Sequence, residues 1–217
     1  MLYTPRAFNQ PDAEAQRQLV LRHPLGLLIS NGEAGPLATP LPFLLQVDEQ
    51  GEWVLQGHLS RANPHLKALE EGASVLVVFQ GEQGYITPAW YEEKARSGKA
   101  VPTWNYLTLH CRGALTRHDN ADWLREQVAR LTEQQEQDMS QPWAVNDAPA
   151  PYIDSMIKAI VGIEIRVTQR EGKWKLNQNR SLTDRQQVAD GLQQQQNTPL
   201  AAEMRRTLEA ETPDGTE

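Results

Sequence analysis

Between Gly57 and His65 the chain reads GHLSRANPH, which brings two histidines, a serine, an arginine and an asparagine into one short stretch. The planar guanidinium of Arg61 matches the oxygens of a phosphate, and the Ser60 hydroxyl can add a donor. His58 and His65 offer two nitrogens to a metal. No third His or Cys lies nearby, and a zinc ion needs three or four ligands, so no metal is expected. Asn63–Pro64 has the order of an N-cap followed by a first helical residue. A helix is therefore expected from Pro64, leaving unpaired backbone N–H groups near Ser60 to Asn63 that would attract an anion. The plain alternative is a capped helix whose arginine faces water.

Two further stretches carry aromatic and amide groups. In Val101–Pro102–Thr103–Trp104–Asn105–Tyr106, a strand would point Thr103, Asn105 and Leu107 one way and Trp104 and Tyr106 the other. Both rings could equally be ordinary core aromatics. The stretch GKWKLNQNR, Gly172 to Arg180, reads plainly as a hairpin strand with solvated Lys173 and Lys175. His110 sits mid-strand as a structural residue. Cys111, the one cysteine, points to the opposite face and has no base beside it, which gives nucleophilic catalysis no support. There is no G-x-S-x-G, no P-loop and no G-x-G-x-x-G.

The elements that would position these residues are mainly strands. Leu25 to Ser30 is short, apolar and closed by the turn signal Asn31–Gly32. Leu37 to Val47 is a second run, and its Pro40 and Pro42 confine it to an edge or a bulge. Trp53–Gly57, Ser74–Phe79, Thr103–Thr116 and Val161–Thr168 follow, with Lys173–Leu176 as a seventh. Helices are expected over Asn120–Gln137, from Ser181, and from Thr198–Pro199. Trp90–Tyr91 should lead into a short helix with one ring packed inward. Glutamines 193 to 196 read as a linker, and Thr212–Glu217 as a frayed end. The expected fold class is α+β: a small barrel of six to seven mainly antiparallel strands with peripheral helices.

A chain of 217 residues with 39% hydrophobic and 23% charged residues can bury a sizeable core. A net charge of -7 argues against general nucleic-acid binding, which needs a surplus of Lys and Arg. One cysteine excludes an intrachain disulfide. The N-terminal residues lack the pattern of a signal peptide, and no apolar run approaches the ~20 residues that span a bilayer. A soluble, cytoplasmic protein without membrane contact is expected.

The stretch LQGHLSRANPHLKALEEGASVLVVF resembles the segment by which FMN-binding split-barrel proteins hold the flavin phosphate. The wider chain, from about Tyr3 to Leu192, resembles the PaiB family of FMN-binding negative transcriptional regulators. Four other stretches carry the likeness: Tyr3–Thr4–Pro5, Tyr85 to Tyr91, Val101 to Tyr106 and Lys173 to Arg180. The resemblance implies a split-barrel domain over 1–180, a C-terminal helical extension over 181–217, and FMN as cofactor. It implies a homodimer with the flavin shared at the subunit interface. The residues it marks for FMN are Gln56, His58, Ser60, Arg61 and Asn63, with Trp104, Asn105 or Tyr106 reaching across the dimer. Lys175 and Gln178 complete the set, beside Trp174 and Arg180. Pro40 stands where the second strand of the family usually carries a histidine, in a run resembling A-T-H-L-P. Ser60 replaces a common alanine, and Thr87 and Asn177 replace serines. The Pro40 change puts catalysis that needs the histidine in doubt.

The family implies transcriptional repression, yet no helix-turn-helix is visible. The joint at 193–198 is too long for a recognition pair, and Arg205–Arg206 is the only basic cluster in that region. Direct DNA binding is therefore not expected. A flavin-dependent oxidoreductase acting with NADH or NADPH on a small substrate, and a haem-handling protein, are the other classes left open.

Overall fold

The computed structural model describes residues 1–209. The fray expected over Thr212–Glu217 lies outside the described residues.

Seven strands form one sheet in the order β2-β1-β5-β6-β7-β4-β3. They are β1 (Leu25–Gly32), β2 (Gly35–Pro42), β3 (Leu44–Val47), β4 (Trp53–Ser60), β5 (Ser74–Ile86), β6 (Thr103–His118) and β7 (Ile160–Lys175). The helices are α1 (Ala13–Arg22), α2 (Glu92–Ser97), α3 (Ala121–Glu136), α4 (Ala150–Lys158), α5 (Leu182–Gln194) and α6 (Thr198–Glu209). The class is α+β, as expected. Pro40 and Pro42 lie on β2, an edge of the sheet, where a missing N–H breaks no ladder.

Several boundaries differ from those expected. The β1–β2 turn falls on Glu33–Ala34 instead of Asn31–Gly32, and Gly35, at φ +120°, supplies the conformation other residues avoid. The run Leu37–Val47 breaks at Phe43, which is fully buried and donates its N–H to Pro24 O. The sixth and seventh expected strands are one, β7. Its neighbour β4 pairs with it from Val54↔Arg166 to Ser60↔Ile160, three residues beyond the expected end at Gly57.

The chain divides into two compact units. The first comprises Arg17–Phe79 and His110–Arg170. Leu28, Phe43, Leu55, Val77, Phe79, Leu115, Ile163 and Ile165 are buried there without exposure. Each such side chain contributes roughly 1.5–3 kcal/mol by leaving water. Phe43 meets Phe79 edge to face at 5.9 Å. Asn120 caps α3 by accepting the N–H groups of Asp122 and Trp123, and α3 buries Leu124 and Leu131.

The second unit comprises Met1–Gln16, Gln80–Leu109 and the chain from Glu171 onward. Here α5 and α6 pack together through Val188, Leu192, Leu200 and Met204. Ser181 caps α5 by accepting the Asp184 N–H. Gln193 and Gln194 are helical, so the joint shrinks to Gln195–Asn197, and the Asn197 amide donates to Gln83 O. Trp90 lies over Gly191, and Tyr91 is the ring packed inward.

Candidate functional site

Alternation along β4 sends Leu55 and Leu59 into the core and leaves Gln56 and His58 half-buried and Ser60 exposed on the other face. Helix α3 packs against that strand. His58 Nδ1–H donates to Gln127 Oε1 of α3 at 2.8 Å. Gln56 donates to Glu164 Oε2 at 2.8 Å and accepts from Gln46. Both marked residues thus have partners within their own unit.

At the corner itself the expected free amides are absent. Arg61 N–H donates to Ala159 O, Ala62 N–H to Ser60 Oγ and Asn63 N–H to Ser60 O. Asn63 caps as expected, accepting the His65 N–H at 2.9 Å. It caps a single 3₁₀ turn, Pro64–Ala68, in place of an α-helix. Leu69 is drawn fully into the core and Gly72 N–H donates to Leu115 O, so the chain leaves the turn to enter β5. So short a helix carries little macrodipole, and anion affinity here rests on side chains.

Arg61 is the principal one. Its Nε–H donates to Lys158 O at 2.8 Å and its Nη2 pairs with Asp119 Oδ1 at 2.7 Å, yet the side chain stays 44% exposed. Lys158 O and Asp119 aim the guanidinium; Asp119 also competes for it. Sequence reading missed Asp119, because 58 positions separate the two residues along the chain.

It also missed what His65 does. This ring is buried, with Nε2 2.8 Å from Ser30 Oγ and Nδ1 2.7 Å from Thr39 Oγ1. It ties the turn after the corner to β1 and β2. Burial pushes the His65 pKa below its ordinary value. The unfolded chain then binds a proton that the folded one refuses. This contribution to stability is present above about pH 6.5 and falls as the pH drops below it. Urea melts at about pH 7.5 and about pH 5 should show a smaller pH loss for His65→Gln than for the unsubstituted protein; equal losses would show that His65 does not set this dependence.

The outer face of the β1–β2 hairpin is apolar throughout its middle. Leu25, Leu27 and Ile29 lie opposite Pro42, Pro40 and Ala38. Leu27 and Ile29 also pair with Val78 and Leu76 of β5. Leu25 is 64% exposed and Leu27 36%. The opposite face of β1, through Leu28, is core. Antiparallel strands with one wet face normally alternate with polar residues, so both faces of this hairpin are built for burial. The visible signal was the unbroken apolar run from Leu25 to Ile29.

In the second unit, Trp104 is 55% exposed and meets Tyr85 edge to face at 6.2 Å. Tyr106 lies on the same face of β6, half-buried, with Lys173 Nζ 5.4 Å and Lys175 Nζ 6.0 Å from its ring. Lys175 Nζ donates to Thr103 Oγ1 and Trp104 O. Burial, and then the neighbouring Lys173 charge, lower the Lys175 pKa. Asn105 faces the other way, fully buried, with Nδ2 3.4 Å from Met204 Sδ. Gln178 closes its own turn, accepting the Leu176 N–H and donating to Trp174 O. Trp174 is buried, and Arg180 stacks over Tyr91 at 4.8 Å. Asn177 has φ +63° and donates to Tyr91 Oη, a conformation that suits asparagine better than the serine of the family pattern. The Cys111 thiol, pushed up to about 12 by burial, is no nucleophile near neutral pH.

FMN makes two demands: donors for a dianionic phosphate, and flat apolar surface for the isoalloxazine ring. Arg61 and the Ser60 hydroxyl meet the first. The apolar face of Leu25, Leu27 and Pro40 meets the second. These residues fit the group.

Residues 2–169 match the family model described as "Putative FMN-binding domain". The chain is 31% identical over 208 residues, 96% of its length and 97% of the relative's, to the protease synthase and sporulation protein PAI 2 of Bacillus subtilis. It is 33% identical, over 83% of this chain and 88% of the other, to an uncharacterized protein, AN0679, of Emericella nidulans. Among solved structures it is similar to the FAD and haem binding protein of Mycobacterium smegmatis, at TM-score 0.55 and 17% identity, covering 77% of this chain and 73% of that one. A flavocytochrome from Azotobacter vinelandii matches at TM-score 0.55 and 15% identity, covering 79% and 72%. At such identities the likeness is one of fold, the split barrel. Among the described residues no helix is long and apolar enough to cross a membrane. With family model, near full-length relative and fold in agreement, the chain belongs to the FMN-binding split-barrel proteins of the PaiB type, and FMN is its cofactor.

Proposed function

We propose that this protein is a homodimeric FMN-dependent negative regulator of transcription that acts through a protein partner. Ser60 and Arg61 hold the flavin phosphate, and the ring lies where two copies meet. The observation that carries this reading is the outer face of β1, β2 and β5. An apolar sheet face open to water is costly, and a second copy laid over it would remove the cost. Pro40 and Pro42 block edge-to-edge strand pairing, which favours docking face to face.

Action through a partner is favoured over direct DNA contact by the pairing of the basic residues on α6. Arg205 pairs with Asp190 and donates to Gln193, and Arg206 pairs with Glu203. Each charge is already partly offset by an acidic neighbour. FMN, when bound, supplies redox chemistry that the protein only positions and tunes.

Apo-protein should take up FMN near one per chain, sediment as a dimer, and fail to shift promoter DNA across a salt series. Repression in cells should nonetheless depend on the flavin corner. A monomer, or a gel shift at physiological salt, would reject this assignment. A second reading, an FMN oxidoreductase, is favoured by the exposed Trp104 beside two lysines. It predicts that NADH or NADPH bleaches the bound flavin under anaerobic conditions.

A further inference from the structure

Lys173 and Lys175 stand on one face of β7, two residues and therefore about 6–7 Å apart. Lys173 is only 7% exposed. Its ammonium has three donors and gives one recorded bond, to Tyr3 O at 2.9 Å. Lys175 gives two, both to uncharged oxygens. Among the described residues no carboxylate lies within ion-pair distance of either ammonium. Glu171, the previous residue on that face, accepts the Leu2 N–H. Two neighbouring cations drawn out of water with no ion pair to either are unfavourable, and an anion placed between them relieves both desolvation and repulsion.

The surroundings are aromatic. The ring of Tyr3 lies 5.5 Å from Lys173 Nζ and that of Tyr106 at 5.4 Å, so the ammonium sits between two π faces. Trp104 and Tyr85 stand open beside them at 55% and 49% exposure. An exposed indole whose edge is held by a neighbouring ring presents a flat, ordered surface for stacking.

We propose that Lys173, Lys175, Tyr3, Tyr106 and Trp104 form a site for a second ligand besides FMN, a small planar aromatic anion. Its ring stacks on Trp104 and Tyr106, and its anionic oxygens lie on the two ammonium groups. This rests on the reading above, in which the single phosphate of FMN is held by Arg61 and leaves these lysines unclaimed. The ligand would be the substrate of an oxidoreductase or the effector of a regulator; the recognition chemistry is the same.

The test is calorimetric titration of FMN-loaded protein with 4-nitrobenzoate, using benzamide as the neutral control and cyclohexanecarboxylate as the non-planar one. The acid should bind at least about tenfold more tightly than either control, the worth of one charge-assisted bond or one stacked ring. Lys173→Met should cost about tenfold or more for 4-nitrobenzoate and less than about twofold for FMN, and Lys173→Arg should restore most of the loss. Should Lys173→Met not fold, the solvent-facing change Tyr3→Ala, at a side chain 81% exposed, gives the same contrast. Holo-protein that ignores 4-nitrobenzoate, or takes benzamide equally well, overturns the proposal. Equal losses for FMN and 4-nitrobenzoate overturn it too, assigning the lysines to the flavin. Arg61→Ala, titrated with FMN in parallel, separates failure of this site from failure of the flavin assignment.

Discussion

With the phosphate held as proposed, Arg61→Ala should weaken FMN binding by about 1.5–3 kcal/mol, roughly tenfold to 150-fold in Kd, as expected for a lost charge-assisted hydrogen bond to phosphate. The lower half of that range is favoured, because a guanidinium 44% in water is screened. Asp119 works in the other direction. With Arg61 gone it faces the phosphate as an unmatched negative charge, 58% exposed, and adds repulsion. Asp119→Asn alone should therefore tighten FMN binding, since it frees Nη2 and removes that charge. Arg61→Lys should recover only part of the loss, because an ammonium lacks the planar fork and cannot donate along Nε to Lys158 O. Quenching of FMN fluorescence on titration reads all three. A Kd unchanged by Arg61→Ala would place the phosphate elsewhere.

On the proposed dimer, Leu27→Asp should give a monomer stripped of flavin. Leu27 sits at the centre of the apolar face, opposite Pro40 and beside Val78. A carboxylate buried there between two copies has no partner in sight, and an unpaired buried charge costs several kcal/mol, enough to dissociate an interface of ordinary strength. The monomer itself should tolerate the change, because Leu27 is 36% exposed in the single chain. Leu182→Asp is the control: that leucine is 53% exposed on α5, and its replacement should leave both mass and colour unaltered. Light scattering gives the mass and the visible spectrum gives the flavin. A Leu27→Asp protein that remains dimeric and yellow would show that the copies meet by another surface.

What could be read along the chain was whatever adjacent residues decide among themselves. Asn63 before Pro64 and Ser181 before α5 each cap where expected, because a cap and the N–H it accepts lie within three residues. The prolines of β2 declared an edge because a missing donor is a property of one residue. The family motifs in order identified the cofactor.

Where the parts of the site ended up was not legible in this way. The amides of Arg61 to Asn63 were expected to be free, but Arg61 N–H found Ala159, nearly a hundred positions away. Asp119 beside Arg61, the Ser30 and Thr39 hydroxyls on His65, and the lack, among the described residues, of an ion pair to Lys173 or Lys175 all depend on which distant strands lie next to each other. Strand ends behaved likewise: β4 runs on to Ser60 because β7 is there to pair with it. Caps and turn formers act over one turn of chain, whereas charge pairing and burial are set by through-space distances that folding alone establishes.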